Sequence, residues 1–170
     1  MAELAEELIG NLLRARNMKL TLAESCTGGL VGYRITAIPG SSDYYLGSVT
    51  AYAYEAKERL LGVSHDTLLQ HGAVSRETAL EMARGARLAL AADFPVERSL
   101  GIAITGIAGP GGGMPNKPVG LVWFGLAAPE GSYAWRNFFK GDRKQVRDQS
   151  ADRALELLLD YLLGHLPPEE

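Results

Sequence analysis

The sequence has only one cysteine among its 170 residues and no long apolar segment. A single thiol cannot form an internal disulfide, which favours a reducing compartment. Every apolar run falls well short of the roughly 18 residues that a membrane helix needs. The amino-terminal stretch Met1–Glu7 is acidic where a signal peptide would be basic. These absences predict a cytoplasmic protein with no membrane partner.

Basic charge is also scarce, because 17 lysine and arginine residues are outnumbered by 20 aspartate and glutamate residues. The resulting net charge of -3 argues against a protein that binds nucleic acid by neutralising its phosphates. We therefore predict no nucleic-acid partner. A small phosphorylated ligand is still compatible with this charge, since it needs only a few local cations and backbone N–H groups.

Apolar residues make up 46% of the chain, which is enough for one domain with a hydrophobic core. Helical segments alternate with strands, and residues 129–132 join the last two strands as a hairpin. This order predicts an α/β fold, a three-layer α/β/α sandwich with a mixed, mostly parallel sheet of about five strands. We expect one domain over residues 1–170, with its core at about 3–163 and a frayed tail at 164–170. The predicted strands are 19–23, 44–54, 100–105, 119–127 and 133–139. The predicted helices are 2–17, one from the turn at 28–29 to about 36, one around 55–61, one after 64 that ends at 71–72, one after 75 to about 92, and one after 142 to about 163. Ser64 and Ser75 are predicted N-caps, and Asp142 with Gln145 resembles a capping box.

The segment 23–29 reads Ala-Glu-Ser-Cys-Thr-Gly-Gly and links a predicted strand to a predicted helix. A hydroxyl or thiol at this turn lies beside backbone N–H groups that have no partner within the helix. These groups, on Thr27, Gly28 and Gly29, can receive a developing oxyanion. The competing interpretation is an ordinary helix N-cap, for which serine and threonine are common residues.

Two side chains of this turn, Ser25 and Cys26, compete for the role of nucleophile. Cysteine is intrinsically the stronger nucleophile, but it is usually activated by a histidine base. The three histidines, at positions 65, 71 and 165, all lie in contexts typical of surface or capping residues. This distribution favours Ser25, and a cysteine beside small residues is often simply a buried apolar group.

Tyr52 and Lys57 lie near the next predicted strand-to-helix transition and can face a neighbouring strand end. A lysine kept neutral by burial can act as the base for a serine, as in known Ser–Lys arrangements. The competing interpretation is a solvated helix lysine beside Glu55 and Glu58.

The glycine-rich loop 106–113 follows the continuous apolar strand that ends at Thr105. Ligands often bind in such loops of α/β proteins. Backbone N–H groups at Gly106, Gly109, Gly111 and Gly112 can hold a phosphate or carboxylate, and they are an alternative to the turn at 27–29 as oxyanion donors. The competing interpretation is an unusually long turn.

Arg143 and Arg147 share one face at the start of the last predicted helix. Cations at a helix N-terminus oppose the helix dipole, and a bound phosphate would account for their placement. The competing interpretation is a surface face whose charge is balanced by Asp142 and Asp148.

Taken in order, these segments closely resemble the CinA C-terminal domain family, the nicotinamide-nucleotide amidohydrolases. The resemblance covers about residues 3–163 and implies a three-layer α/β/α sandwich with a mixed sheet. It implies an enzyme that deamidates nicotinamide mononucleotide to nicotinate mononucleotide and ammonia in pyridine-nucleotide recycling, with no metal and no cofactor. The segments that carry the resemblance are 23–29, 52, 55–57, 71–75, 105–112, 117–123 and 141–143.

The resemblance also implies roles for individual residues. The nucleophile of the family falls on Ser25, its general base on Lys57 and its supporting tyrosine on Tyr52. Its arginine falls on Arg143, and Thr105 matches the threonine that opens the glycine loop. Because family members often associate, a homo-oligomer is also expected.

One departure from the family pattern is at Tyr54, where the family usually has an asparagine in the sequence Tyr-Ser-Asn. Losing that amide puts efficiency or exact substrate in doubt. Many members also carry a separate N-terminal domain, whereas this sequence starts at the hydrolase helix, which predicts a stand-alone form. Two alternatives stay open: a non-catalytic nucleotide-binding regulatory protein tied to competence or DNA damage, and an amidase that uses Cys26 on another amide.

Overall fold

Five strands form one mixed sheet in the computed structural model, which describes residues 4–91 and 93–169. In chain order the strands are β1 (Lys19–Glu24), β2 (Tyr45–Thr50), β3 (Ser99–Gly106), β4 (Leu121–Ala127) and β5 (Ser132–Phe138). Their spatial order is β2-β1-β3-β4-β5. The sequence predicted all five strands, but the predicted strand 44–54 ends at Thr50, where the chain turns towards the next helix.

The sheet combines two parallel pairings, β1 with β2 and β1 with β3, and two antiparallel pairings, β3 with β4 and β4 with β5. Four strands point the same way and only β4 opposes them. The prediction of a mixed sheet is therefore confirmed. "Mostly parallel" describes the strand directions but is wrong for the pairings, since the hairpin contributes two antiparallel contacts. The parallel strands β1 and β3 end side by side, which places the turn after β1 next to the glycine-rich loop.

Helices cover both faces of the sheet, as the three-layer prediction required. Three of them pack over one apolar cluster and three over the other. One layer holds α1 (Ala5–Ala15), α2 (Leu30–Thr36) and α6 (Arg143–Leu163), and the other holds α3 (Tyr54–Leu61), α4 (His65–His71) and α5 (Arg76–Leu90). Short 3-10 turns lie at Ser41–Asp43 and Val96–Arg98. Within residues 4–91 and 93–169, no helix is long and apolar enough to cross a membrane.

Helix α5 lies unusually close to the sheet because glycines face it. A Cβ atom at Gly101 would come within 2.2 Å of the Ala83 carbonyl oxygen. At Gly125, a Cβ atom would come within 2.2 Å of the Ala79 carbonyl oxygen. This close packing holds the loop between α4 and α5 against the end of β3, beside the turn that follows β1.

The predicted caps at Ser75 and Asp142 form, whereas Ser64 lies at the N-cap position of α4 without a side-chain cap hydrogen bond. The Ser75 hydroxyl accepts a hydrogen bond from the Thr78 N–H at 3.2 Å, at the start of α5. At the start of α6, Asp142 and Gln145 form a reciprocal capping box, with distances of 2.9 and 2.8 Å. Both helices therefore begin where local hydrogen-bonding chemistry predicts.

The carboxyl-terminal tail is ordered on the sheet edge, so the prediction of a frayed tail is wrong for the described part. The indole N–H of Trp135 donates to the Pro167 carbonyl at 3.1 Å. Glu169 accepts hydrogen bonds from the Ala134 N–H and from Arg76, at 2.8 and 2.9 Å. The tail therefore supplies partners to β5, which would otherwise be an open edge. Residues 1–3 and 170 lie outside the described residues.

Candidate active site

The turn after β1 carries Ser25 at the predicted position between strand and helix. Its backbone N–H donates to the Ile104 carbonyl at 2.9 Å, so Ser25 continues the pairing of β1 with β3. Its carbonyl accepts from the Gly28 N–H at 3.1 Å, which closes the turn. Only 7% of Ser25 is exposed to solvent. The backbone of Ser25 is therefore held at the carboxyl-terminal end of β1, between two neighbouring strands, and the residue is largely shielded from water.

Lys57 of α3 approaches the same hydroxyl. Its Nζ lies 3.0 Å from Ser25 Oγ, 2.8 Å from the Ala51 carbonyl oxygen and 3.0 Å from the Tyr52 carbonyl oxygen. Only 1% of Lys57 is exposed, and burial lowers its pKa to about 8. The competing interpretation, a solvated helix lysine, is therefore contradicted, because Lys57 is buried and bonded to the carbonyls of residues 51 and 52.

In the neutral form of Lys57, these three contacts match the bonding capacity of the amine. A carbonyl oxygen can only accept, so the amine directs its two N–H bonds at Ala51 and Tyr52. Its lone pair then faces Ser25 Oγ and can accept the hydroxyl proton. Since a pKa of about 8 leaves about a tenth of Lys57 neutral at pH 7, compared with less than a thousandth for an ordinary lysine, Lys57 is suited to act as a general base.

Cys26 is much less suited to act as a nucleophile. It is 4% exposed, and burial raises the pKa of its thiol to about 12. No histidine approaches it among the described contacts: His65 pairs with Glu58, and His71 lies near Glu77. Because the thiolate is the reactive form, this environment keeps Cys26 inert at neutral pH.

Glu24 holds the beginning of α2, a role that sequence reasoning missed. Its fully buried carboxylate accepts hydrogen bonds from the N–H groups of Gly29, Val31 and Gly32, at 3.0, 3.2 and 2.9 Å. A carboxylate at a helix N-terminus satisfies N–H groups that lack helical partners and interacts favourably with the helix dipole. The available signal was an acidic residue placed directly before the helix.

These bonds narrow the choice of oxyanion donors in the turn. Gly29 donates to Glu24, and Gly28 donates to the Ser25 carbonyl, so both predicted glycine N–H groups are already engaged. Both glycines have positive φ, +63° and +98°, which explains why this turn needs them. Among residues 4–91 and 93–169, the N–H groups of Cys26 and Thr27 have no hydrogen-bond partner, and neither has the hydroxyl of Thr27, which is completely buried.

The two arginines of α6 have different environments. Arg147 is half-buried and directs its guanidinium at the turn, where Nε and Nη2 donate to the carbonyl oxygens of Cys26 and Thr27 at 3.1 and 2.9 Å. Arg143 is exposed and donates to the Gly109 carbonyl at 2.7 Å and to Tyr52 Oη at 2.8 Å. The two predicted phosphate ligands therefore have different partners: Arg147 binds the turn after Ser25, and Arg143 binds Gly109 and Tyr52 at the surface.

The glycine loop combines packed and open positions. At Gly106 a Cβ atom would lie 2.6 Å from a Val122 methyl group, so this glycine serves close packing. Gly109 is buried, whereas Gly111 and Gly112 are exposed. The Thr105 hydroxyl donates to the Ala73 carbonyl at 2.6 Å and ties the loop before α5 to β3, while its contact with substrate, expected from the resemblance, stays a prediction.

The site therefore has two parts. We call Ser25, Thr27 and Lys57 the reacting centre, and Tyr52, Gly109 and Arg143 the outer cluster. The Tyr52 carbonyl and side chain join them, since the carbonyl binds Lys57 and the phenol accepts from Arg143. Among the described residues, no group of three or more His, Cys, Asp or Glu side chains has the arrangement of a metal site.

Comparisons with known proteins find a matching family model and similar sequences. A family model for the CinA C-terminal domain matches residues 2–162. A putative competence-damage inducible protein from Moorella thermoacetica is 49% identical over 153 residues, which are 90% of this chain and 36% of that relative. A CinA-like protein from Salinibacter ruber is 48% identical over 151 residues, 89% of this chain and 35% of the relative. The chain thus spans roughly a third of the length of these curated relatives.

Solved structures match over nearly their whole length. A CinA superfamily protein from Klebsiella pneumoniae superposes with a TM-score of 0.85 and 34% identity, over 95% of this chain and 99% of that one. The competence/damage inducible protein from Agrobacterium tumefaciens gives a TM-score of 0.79 and 36% identity, over 96% and 99% of the two chains.

Proposed function

This chain belongs to the CinA C-terminal domain family, and we propose that it is a serine amidohydrolase that deamidates nicotinamide mononucleotide to nicotinate mononucleotide and ammonia. The observation that carries the proposal is the 3.0 Å contact between Ser25 Oγ and Lys57 Nζ, with both residues buried. Burying a lysine costs folding free energy, and activation of a serine nucleophile is a function that accounts for that cost.

Acylation begins when neutral Lys57 takes the proton of the Ser25 hydroxyl. Ser25 Oγ then bonds to the carboxamide carbon, and the carbonyl electron pair moves onto its oxygen as an oxyanion. Within the turn, the N–H groups of Cys26 and Thr27 are the donors that lack a hydrogen-bond partner among the described residues, and they are the proposed oxyanion donors. One such preorganised donor lowers the barrier by roughly 3–4 kcal/mol.

The tetrahedral intermediate collapses by losing ammonia. The C–N bond breaks, and the Lys57 ammonium donates its proton to the departing amine, which returns Lys57 to its neutral form. In the second half, Lys57 deprotonates a water molecule that attacks the acyl-enzyme, and the same proton returns to Ser25 Oγ. One water is consumed and a carboxylate is produced, so the cycle restores both residues.

The outer cluster is the proposed site for the phosphate of the substrate. Arg143 is exposed and is oriented by the Gly109 carbonyl and by Tyr52 Oη. A guanidinium binds phosphate oxygens well because its N–H groups form a planar fork. The exposed glycines at 111 and 112 leave the backbone open to a ligand at the same loop. Under this proposal the protein takes part in pyridine-nucleotide recycling.

An ammonia-release assay with nicotinamide mononucleotide tests the proposal directly. We expect release by the native protein, almost none by Ser25→Ala and near-native release by the matched neighbour variant Cys26→Ala. If Cys26→Ala is the inactive variant, the nucleophile assignment is wrong and the cysteine-amidase alternative replaces it. If the native protein binds the nucleotide in calorimetry but releases no ammonia from a panel of pyridine nucleotides, a non-catalytic binding function replaces the proposal.

A further inference from the structure

We infer that Arg147 is a positioning residue, which holds the turn after Ser25 so that the unengaged N–H groups of that turn, on Cys26 and Thr27, stay in place to receive the oxyanion. This inference rests on the proposed function, because it assigns a role to a residue that contacts neither Ser25 Oγ nor Lys57. It also replaces the sequence-based prediction that Arg147 binds phosphate.

The peptide geometry fixes the direction of the donor. In a trans peptide the C=O and the N–H of one peptide group point in opposite directions. The Cys26 carbonyl and the Thr27 N–H belong to the same group, and Arg147 Nε binds that carbonyl at 3.1 Å. The Thr27 N–H therefore points away from the guanidinium.

The second bond of Arg147 fixes the next peptide group. Arg147 Nη2 binds the Thr27 carbonyl at 2.9 Å, so the Gly28 N–H points away as well, and it reaches the Ser25 carbonyl at 3.1 Å. Two consecutive peptide groups are thus oriented by one side chain. A Cβ atom at Gly28 would come within 3.3 Å of Arg147 Nη2, which shows how closely the guanidinium lies against the turn.

Glu24 holds the other side of the turn. Its carboxylate engages the N–H groups of Gly29, Val31 and Gly32, which are the other donors at the start of α2. Within the described residues, the N–H groups of Cys26 and Thr27 are left without an acceptor. The Glu24 carboxylate therefore binds N–H groups of the turn and of the start of α2, and the Arg147 guanidinium binds carbonyl groups of the turn.

The positive charge of Arg147 also makes the Thr27 N–H a stronger hydrogen-bond donor. A cation bound to the carbonyl of a peptide group polarises that group and makes its N–H a better hydrogen-bond donor. The effect is larger in a site shielded from water, and Thr27 is fully buried. This accounts for a cation near the N-terminus of α6, where the helix dipole disfavours it.

Substrates with and without a phosphate separate this role from phosphate binding. For Arg147→Gln, kcat should fall on the order of 10- to 100-fold, below the full loss of one oxyanion donor, with KM changed less than about threefold. The same loss should appear with nicotinamide riboside, which has the same amide and no phosphate. A raised KM confined to the phosphorylated substrate would show that Arg147 is a phosphate ligand and would overturn the inference.

A conservative variant tests whether two bonds are needed. Arg147→Lys keeps the positive charge, but one ammonium cannot bind two consecutive carbonyls in the geometry of a guanidinium. We expect Arg147→Lys to recover less than a tenth of the lost kcat, with a melting temperature close to that of the native protein. Full recovery by lysine would mean that charge alone suffices, and the positioning role would be wrong.

Labelling with a small fluorophosphonate tests the oxyanion donors of the turn without the natural substrate. Ser25 Oγ attacks phosphorus, fluoride leaves and Lys57 takes the proton, so the rate of Ser25 labelling by mass spectrometry depends on the oxyanion site. Labelling of Arg147→Gln should be at least tenfold slower than that of the native protein. Equal rates would overturn the inference and leave Ser25 as the nucleophile, whereas an unlabelled Ser25 in the native protein would contradict the proposed function itself.

Discussion

The reacting centre and the outer cluster differ in how they meet solvent. At the reacting centre, Lys57 is 1% exposed and its amine has three neighbours within 3.0 Å. In the outer cluster, Tyr52 is 60% exposed and Arg143 lies on the surface. The first is built into the sheet and a helix layer, and the second is assembled from loops and a helix end.

This difference suggests a division of labour. Groups that act on the reacting atoms need fixed positions and an altered pKa, and both require burial. Groups that bind a phosphate must exchange water for ligand and therefore stay accessible. Variants of the reacting centre should change kcat and the pH profile, while variants of the outer cluster should change KM.

The largest effect is expected for Lys57→Met, which removes the base and keeps an unbranched apolar stem. Ammonia release should fall by a factor of about 10²–10⁴, the range that general-base catalysis contributes, because Lys57 is the base in contact with Ser25 Oγ. The measurement is kcat under saturating nicotinamide mononucleotide. Lys144→Met, on the exposed start of α6, is the matched control and should keep near-native activity.

The same variant should be more stable than the native protein at pH 7. Burial lowers the pKa of Lys57 from 10.5 to about 8, so protonated Lys57 destabilises the folded state by up to about 3 kcal/mol. Loss of the bonds to residues 51 and 52 offsets part of this gain. Urea unfolding should therefore show a gain of about 1–3 kcal/mol for Lys57→Met. A loss of stability would mean that the protonated amine of Lys57 stabilises the folded state, contrary to this argument.

A second effect concerns pH. Below pH 8 the neutral fraction of Lys57 falls about tenfold per pH unit, so kcat/KM should rise with that slope and level off above pH 8. Native stability should also rise between about pH 8 and 10.5, because the unfolded chain binds more protons there. Rates measured from pH 6 to 9.5 test the first claim. A flat profile from pH 6 to 8 would contradict the Ser–Lys pair.

A third effect separates the two parts of the site. Arg143→Gln should raise KM for nicotinamide mononucleotide about tenfold and change kcat less than threefold, because it removes one charge-assisted contact. Its pH profile should match that of the native protein, since Lys57 is untouched. Lys144→Gln removes the same charge one residue further along and is the control. If Arg143→Gln lowers kcat and leaves KM unchanged, the outer cluster is part of the chemistry.

Sequence reasoning found the elements that depend on local signals. The Ser25 turn, the Ser75 cap and the box of Asp142 and Gln145 all follow from residue types at short spacing, and the structure contains each of them. The order of helices and strands likewise predicted the layered fold, including the final hairpin.

Features that depend on tertiary contacts could not be predicted in the same way. The burial of Lys57 depends on how α3 packs under the end of β2, and the partners of Arg147 lie about 120 positions away in the sequence. Nothing in a local pattern distinguishes a guanidinium that binds carbonyls from one that binds phosphate. The tail was misjudged for the same reason, because Pro167 and Glu169 pair with a strand some 30 residues earlier.

A fourth effect is expected at Thr27, whose buried hydroxyl has no partner among the described residues. A buried unsatisfied hydroxyl is costly, so Thr27→Val should leave stability unchanged or raise it by up to about 1 kcal/mol. If the hydroxyl finds its partner in bound substrate, kcat/KM should fall about fivefold. Thermal unfolding and ammonia release on one preparation test both claims. A clear loss of stability would show that the hydroxyl is already satisfied.

The smallest effect is expected at Tyr54, where the family usually has asparagine. Tyr54 is half exposed, and its phenol accepts only a long hydrogen bond, 3.3 Å, from the Ala73 N–H. Asparagine is too short to reach that group, so Tyr54→Asn should release one weak contact of the loop before α5 and leave Ser25 and Lys57 in place. We expect kcat/KM for nicotinamide mononucleotide to change less than threefold, with Tyr54→Phe as the control for loss of the hydroxyl alone. A change of tenfold or more in either direction, absent in Tyr54→Phe, would show that position 54 contacts the substrate and that the outer cluster extends to α3.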